Sequence, residues 1–283
     1  MVRMFLLIIL FLIMIMTILA EILAERRGNG VISNPVQEFK RSLTKRIDDA
    51  DRLAPTLTSA LERVEFRLPK LDSDNPDIRA VADFAAQDFT GAQRAGENFA
   101  GARVAKARFA RALLDGASFE GATGAGAMFQ GARLAGANFS AGGFDDAVFS
   151  AADMKEAVAR AANLRDTDFD RADISFARLS GSDLDKADFT DAYAAGAFFV
   201  GVSARDVTFD GATLTGARFD RADLRGAQFN GASLDAATFN GARLDGADLS
   251  KATDLTAEQL AGACGSIETR TPTGIPIRLC PGL

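Results

Sequence analysis

Residues 212–246 read ATLTG ARFDR ADLRG AQFNG ASLDA ATFNG ARLDG, a repeat of five residues. In each unit the first residue is Ala and the third is Leu or Phe. The same phase extends without a slip over residues 82–251, which makes 34 units. The third residue is Phe, Leu, Ile, Val or Met in 29 units, and the first is Ala in 27. Such self-similarity at a fixed period predicts a repeat architecture.

Helices and strands have side-chain periods of 3.6 and 2, so neither explains a period of five. A solenoid does, if each unit forms one side of a coil and turns its first and third side chains inward. The pattern resembles the pentapeptide-repeat family, whose motif is Ala-(Asp/Asn)-(Leu/Phe)-x-x. The resemblance implies an all-β solenoid, namely a right-handed quadrilateral β-helix of pentapeptide repeats with four units in each coil.

A second period of 20 residues supports that coil length. One column of third residues is entirely aromatic over eight coils and consists of Phe89, Phe109, Phe129, Phe149, Phe169, Phe189, Phe209 and Phe229. We expect these rings to form a core stack with the spacing of neighbouring strands, roughly 4.8 Å.

The chain divides into residues 1–27, 28–81, 82–251 and 252–283. The first segment contains an apolar run over residues 4–20. About 20 residues of helix cross a bilayer, so residues 1–27 are predicted to be a transmembrane anchor that contacts the lipid bilayer. A cleaved signal sequence is the alternative that stays open.

Residues 28–81 are predicted to be a juxtamembrane helical linker. Val36, Phe39, Leu43 and Ile47 recur at helical spacing, with Lys and Arg between them. A helical stalk is the favoured interpretation, and a helix lying on anionic lipid headgroups is the alternative.

Residues 252–283 are predicted to be a C-terminal cap and tail. Thr256 and Gln259 have the spacing of a capping box, which predicts a short helix through Leu260 to Ala263. The tail beyond it is expected to be irregular. A possible disulfide between Cys264 and Cys280 would hold it.

Two features of the sequence favour opposite sides of the membrane for the repeats. Arg3 alone precedes the apolar run, whereas Arg26, Arg27, Lys40 and Arg41 follow it. The positive-inside rule therefore favours the cytoplasmic side for the repeats, with a bacterial inner membrane presumed. A disulfide would instead suit a periplasmic or secreted protein.

Composition excludes several function classes. The chain has no His and only two Cys, which argues against a catalytic triad, a metal site and a cofactor, and predicts a protein that is not an enzyme. The net charge of −6 argues against nucleic acid as a partner. Exposed Asp residues such as Asp166, Asp168 and Asp170 are interpreted as turn chemistry.

Departures from the repeat suggest a partner patch. Ala159, Ala194 and Ala204 replace large third residues. In the same coils, apolar side chains occupy positions that should face outward, at Phe176, Tyr193, Phe198 and Val200. These four residues are a candidate surface for an unknown protein partner or a homodimer. The alternative is a local bulge that turns them inward to refill the core.

The function predicted from these features is a non-enzymatic, membrane-tethered scaffold for protein–protein interaction. Some pentapeptide-repeat proteins mimic DNA and protect DNA gyrase, so the resemblance implies that alternative as well. Mimicry of DNA requires a continuous acidic side. The side carrying Phe84, Leu164 and Leu244 instead mixes nine acidic with seven basic residues, including Asp183 and Arg165.

Overall fold

The structure, a computed structural model, describes residues 82–281. The predicted anchor at residues 1–27 and the helical linker at 28–81 lie outside the described residues. Between residues 82 and 281, no helix has the length and apolar character needed to span a bilayer.

A parallel ladder runs through the repeats. The second residue of each unit pairs with the residue 20 positions later, in an unbroken series from Asp83 with Arg103 to Ser233 with Thr253. Within each pairing the third residue of the unit donates its N–H to the next coil, as from Phe84 N to Arg103 O at 2.7 Å. Each coil therefore contains four units, as the 20-residue period predicts.

Four units per coil give four sides, which we number by their third residues. The third residues of side 1 run in steps of 20 from Phe84 to Leu244, and those of side 2 from Phe89 to Leu249. Those of side 3 run from Arg94 to Leu234, and those of side 4 from Phe99 to Phe239. In each series, successive members are 20 residues apart.

A tight turn separates consecutive sides. The carbonyl of the third residue accepts from the N–H three residues later, as between Phe109 and Ala112 at 3.0 Å. The fifth residue of every unit from Ala86 to Gly246 has a positive φ. A positive φ at only the second central residue defines a type II turn. Gly is frequent at the fifth position because it adopts a positive φ without steric cost.

The core consists of the first and third side chains of the units. The eight Phe rings of side 2 stack with centroids 4.6 to 5.2 Å apart. Rings of side 4 meet them edge to face, as Phe119 meets Phe109 at 5.6 Å and 82°. Each buried ring contributes roughly 1.5–3 kcal/mol, so the stack supplies much of the stability.

The C-terminal end of the stack is covered by helix α1, Ala257–Leu260, which has the predicted capping box at Thr256 and Gln259. The Gln259 amide also donates to Leu234 O at 2.7 Å and Ala237 O at 2.9 Å, and so satisfies backbone acceptors of the last coil. The helix ends at Leu260, earlier than the predicted Ala263. The reason is that Cys264 joins the ladder, donating its N–H to Ala242 O at 3.0 Å.

The tail is more regular than expected. Cys264 pairs with Arg243, Arg270 with Asp248, and Leu279 with Gly265, so the ladder continues past the repeats. A disulfide joins Cys264 to Cys280, whose Cα atoms are 4.8 Å apart. The prediction of an irregular tail was therefore wrong for these pairings.

Candidate protein-binding surface

The candidate patch points outward. Phe176 and Tyr193 are 58% and 57% exposed, and Phe198 and Val200 are partly exposed. We call these four residues the aromatic patch. The ladder keeps its register beneath them, with Tyr193 beside Asp173. The inward-bulge alternative is therefore wrong for the described structure.

The core closes around the small third residues without help from the patch. Ala194 and Ala204 are fully buried, and Ala159 nearly so. Val202 and Val207, which replace Ala at first positions on either side of Ala204, are also buried. These valines supply apolar volume next to Ala204, so no outward side chain has to turn inward.

Phe176 lies at the corner between sides 3 and 4. It occupies a fifth position with φ of 59°, a conformation that is rare for a bulky residue. Its ring rests against Gly196 of the following coil, where an added Cβ would lie 2.7 Å from both Phe176 Cδ1 and Cε1. Gly196 thus leaves the room that lets this exposed ring lie close to the backbone.

Phe198 lies on side 4 between two arginines. Arg178 pairs with it from the coil before and Arg218 from the coil after. The Arg218 guanidinium carbon is 5.6 Å from the centroid of the Phe198 ring, within range of a cation–π interaction. Arg218 also pairs with Asp220 at 3.1 Å. Sequence reasoning did not single out Arg218, although the same 20-residue step from Phe198 leads to it.

The recurring Asp residues serve the turns. Asp168 accepts from Asp170 N at 2.8 Å, and Asp248 accepts from Ser250 N at 3.0 Å. Hydrogen bonds from the Ser250 side chain and backbone hold the pKa of Asp248 below its ordinary value. Over residues 82–281, no three Cys, Asp or Glu side chains come together as a group that could hold a metal ion.

Several acidic and basic side chains on side 1 form ion pairs. Arg205 and Arg225 both contact Asp223, at 2.8 and 2.7 Å. Burial alone would raise the pKa of Asp223, but hydrogen bonds and charge from Arg225 and Arg205 outweigh it and lower this pKa to about 2. Further pairs join Arg165 to Asp183 at 3.0 Å and Arg243 to Asp245 at 3.1 Å. Because basic residues alternate with the acidic ones and pair with several of them, side 1 is not a continuous acidic stripe.

The two cysteines lie in the cap, away from the repeats of the aromatic patch. Cys264 and Cys280 are 8% and 6% exposed, so the bond between them is shielded from solvent.

Comparison with solved structures finds other repeat proteins of this kind. HetL, a pentapeptide repeat protein involved in heterocyst differentiation regulation from the cyanobacterium Nostoc sp. strain PCC 7120, is 23% identical, with 67% of this chain and 91% of that chain covered and a TM-score of 0.38. QnrB1, a plasmid-mediated fluoroquinolone resistance protein, is 21% identical, with 65% and 92% covered and a TM-score of 0.43. A search of curated proteins gives no match.

Family models agree with the ladder. The model described as pentapeptide repeats (8 copies) matches residues 105–140, 147–185 and 182–221, and the model described as pentapeptide repeats (9 copies) matches residues 209–257. These matches have the same five-residue unit that forms the sides of the coils. The chain belongs to the pentapeptide-repeat family.

Proposed function

We propose that this protein is a non-enzymatic scaffold, tethered to a membrane by residues 1–27, that presents the aromatic patch to a protein partner. One observation carries the proposal: Phe176 and Tyr193 are more than half exposed although the ladder beneath them is regular. Exposed aromatic side chains that are close together are typical of binding surfaces, because burying them against a partner is favourable.

The backbone under the patch supports this role. Tyr193 N donates to Ala172 O at 2.9 Å, and Phe198 N donates to Ala177 O at 2.9 Å. Both residues are therefore tied to the coil before them. A surface that is already ordered loses little conformational entropy when a partner binds, which favours affinity.

The test compares Phe198→Ser with Met128→Ser in the full chain. Met128 is a matched control because it occupies the same unit position on side 2 and is 38% exposed. Both variants carry an affinity tag, and complexes are purified from gentle detergent extracts and quantified by mass spectrometry. We expect Phe198→Ser to lose a complex that Met128→Ser keeps, whether the lost component is another protein or a second copy of this chain.

A complex of unchanged composition and yield in a folded Phe198→Ser protein would overturn the proposal. Circular dichroism and thermal unfolding of both variants separate a lost partner from a lost fold.

For the compartment we propose an oxidising one, outside the cytoplasm. The Cys264–Cys280 bond supports this side, because disulfides persist in oxidising compartments and are rare in the cytosol. The charge asymmetry around residues 4–20 favours the opposite side. Cells are lysed in acid, free thiols are labelled with a maleimide polymer, and the protein is run on a non-reducing gel. We expect an unlabelled monomer. Labelling of both thiols would instead indicate that the repeats lie in the cytoplasm.

A further inference from the structure

Side 4 differs from the other sides in charge. Its outward column of second residues contains no carboxylate in the described repeats and reads Asn98, Ser118, Asn138, Val158, Arg178, Phe198, Arg218, Thr238. The corresponding columns of sides 1, 2 and 3 all contain Asp, for example Asp183, Asp188 and Asp173. In a chain of net charge −6, this column is therefore a strip without carboxylates of its own, although Glu120 and Asp220 lie in fourth positions on the same side.

The basic groups of this strip flank the aromatic patch. Arg178 is exposed and makes no ion pair with any residue in the described range. Arg218 is half exposed and shares its charge between Asp220 and the face of Phe198. The Phe198 ring therefore has the free guanidinium of Arg178 on one side and the partly paired guanidinium of Arg218 on the other. Such a site can contact an apolar side chain that has carboxylates next to it.

Two carboxylates near the patch are engaged by neighbouring groups. Asp173, beside Tyr193, is held by Lys155 at 2.9 Å. Asp220 is held by Arg218 and also accepts from the Asn240 backbone at 3.1 Å. Glu156, at the corner one coil before Phe176, is exposed and makes no ion pair among residues 82–281. Its charge would repel an acidic ligand that reached this corner between sides 3 and 4.

We propose that the partner segment bound by the aromatic patch is an acidic peptide, in which an apolar side chain covers Phe198 and carboxylates lie against Arg178 and Arg218. The inference rests on the proposed scaffold function and adds the chemical class of its partner. Electrostatic complementarity of this kind selects between partners and raises the association rate.

The test uses three biotinylated probe peptides immobilised for biolayer interferometry: Glu-Asp-Phe-Asp-Glu, Lys-Arg-Phe-Arg-Lys and Glu-Asp-Ser-Asp-Glu. The purified full chain, kept in mild detergent, is the analyte. We expect the first peptide to bind at least about 10-fold more tightly than either of the others, equivalent to about 1.4 kcal/mol. This preference should weaken as salt is raised.

Arg178→Glu and Arg108→Glu are the paired variants. Arg108 occupies the second position of its unit on side 2, so its replacement controls for the change in net charge. Arg178→Glu is expected to weaken binding of Glu-Asp-Phe-Asp-Glu by about 10-fold, and Arg108→Glu is expected to leave it within about 2-fold. Equal binding of the basic peptide, no binding of the acidic one, or equal effects of the two variants would overturn the inference.

The two proposals fail in different ways. If Phe198→Ser loses a cellular complex while the acidic peptide shows no preference, the scaffold function stands and the acidic class is wrong. If Phe198→Ser keeps every complex, the scaffold function fails, whatever the peptides do.

Discussion

Gly124 and Phe144 occupy one space in the core of side 1. Gly124 has no side chain at a third position, and the Phe144 ring of the next coil fills the gap. A Cβ added at Gly124 would overlap Cε1 and Cδ1 of Phe144 and lie 3.1 Å from Val104 Cγ2. Phe144 also contacts Phe139 edge to face at 5.1 Å, and this contact limits how far the ring can shift away from Gly124.

Gly124→Ala is therefore expected to destabilise the fold by about 1–3 kcal/mol through overpacking. Guanidinium unfolding of the purified chain measures the effect. Phe144→Leu removes the ring and provides the second arm of a double-mutant cycle. In the Phe144→Leu background, Ala at position 124 should cost less than about 1 kcal/mol, because the space is no longer shared. Additive costs in the double variant would show that the two residues do not compete.

The type II turns give a second prediction at Gly216, whose φ is 67° and whose added Cβ would meet no atom within 4 Å. Any cost of Gly216→Ala is consequently a backbone cost, and we expect about 1 kcal/mol. Gly216→Asn should cost less, because Asn tolerates positive φ better than Ala. Unfolding midpoints of the two variants check the order. A larger loss for Asn than for Ala would contradict a turn-based explanation.

The sequence predicted the repeats well because their physics is local and periodic. A third residue such as Phe109 and a first residue such as Ala112 recur every five positions, and the Phe column of side 2 sets the coil length. The cap was predicted less well because the pairing step changes there. Cys264 pairs with Arg243 and Arg270 with Asp248, so one or two extra residues enter each step and the period disappears from the sequence.

The aromatic patch was predicted as one of two alternatives. Unit position alone turns Phe198 outward, but the absence of large third residues at Ala194 and Ala204 argued for refilling from outside. The structure decides for the outward orientation, because Phe176 and Tyr193 are more than half exposed, while the buried Val202 and Val207 add apolar volume beside Ala204. Packing between coils of this kind depends on three-dimensional volumes, which a list of unit positions does not contain.

Asp223 predicts a pH dependence of stability. Its folded pKa is about 2, because the hydrogen bonds of Arg225 and Arg205 outweigh the opposing effect of burial. In the unfolded chain the pKa of an Asp is about 3.9. The stabilising contribution is therefore complete only well above about pH 4, and it is lost as the pH falls towards 2, since the unfolded state then binds the proton first.

At pH 7 the Asp223→Asn variant should have a lower free energy of unfolding than the parent. The difference in free energy of unfolding between the two proteins should shrink between pH 4 and pH 2. Urea unfolding at a series of pH values measures this. Asp235→Asn is the matched control, because Asp235 is exposed and makes no ion pair with the described residues. A constant difference between parent and Asp223→Asn across the series would show that the carboxylate charge is not the cause.

The disulfide gives the last prediction, which concerns the cap alone. Cys264 and Cys280 are 16 residues apart, and closing a loop of that size contributes roughly 3 kcal/mol. In a solenoid each coil contacts only its neighbours, so the loss in Cys264→Ala/Cys280→Ala should appear as local opening at the C-terminal end. The amides of Leu244 and Leu249 report on it, because they donate to Cys264 O and Arg270 O at 2.7 and 2.8 Å. We expect their hydrogen exchange to accelerate by roughly 100-fold, while the amide of Phe209, in a central coil, changes little. Equal acceleration at all three amides would mean that the disulfide stabilises the whole stack rather than its end.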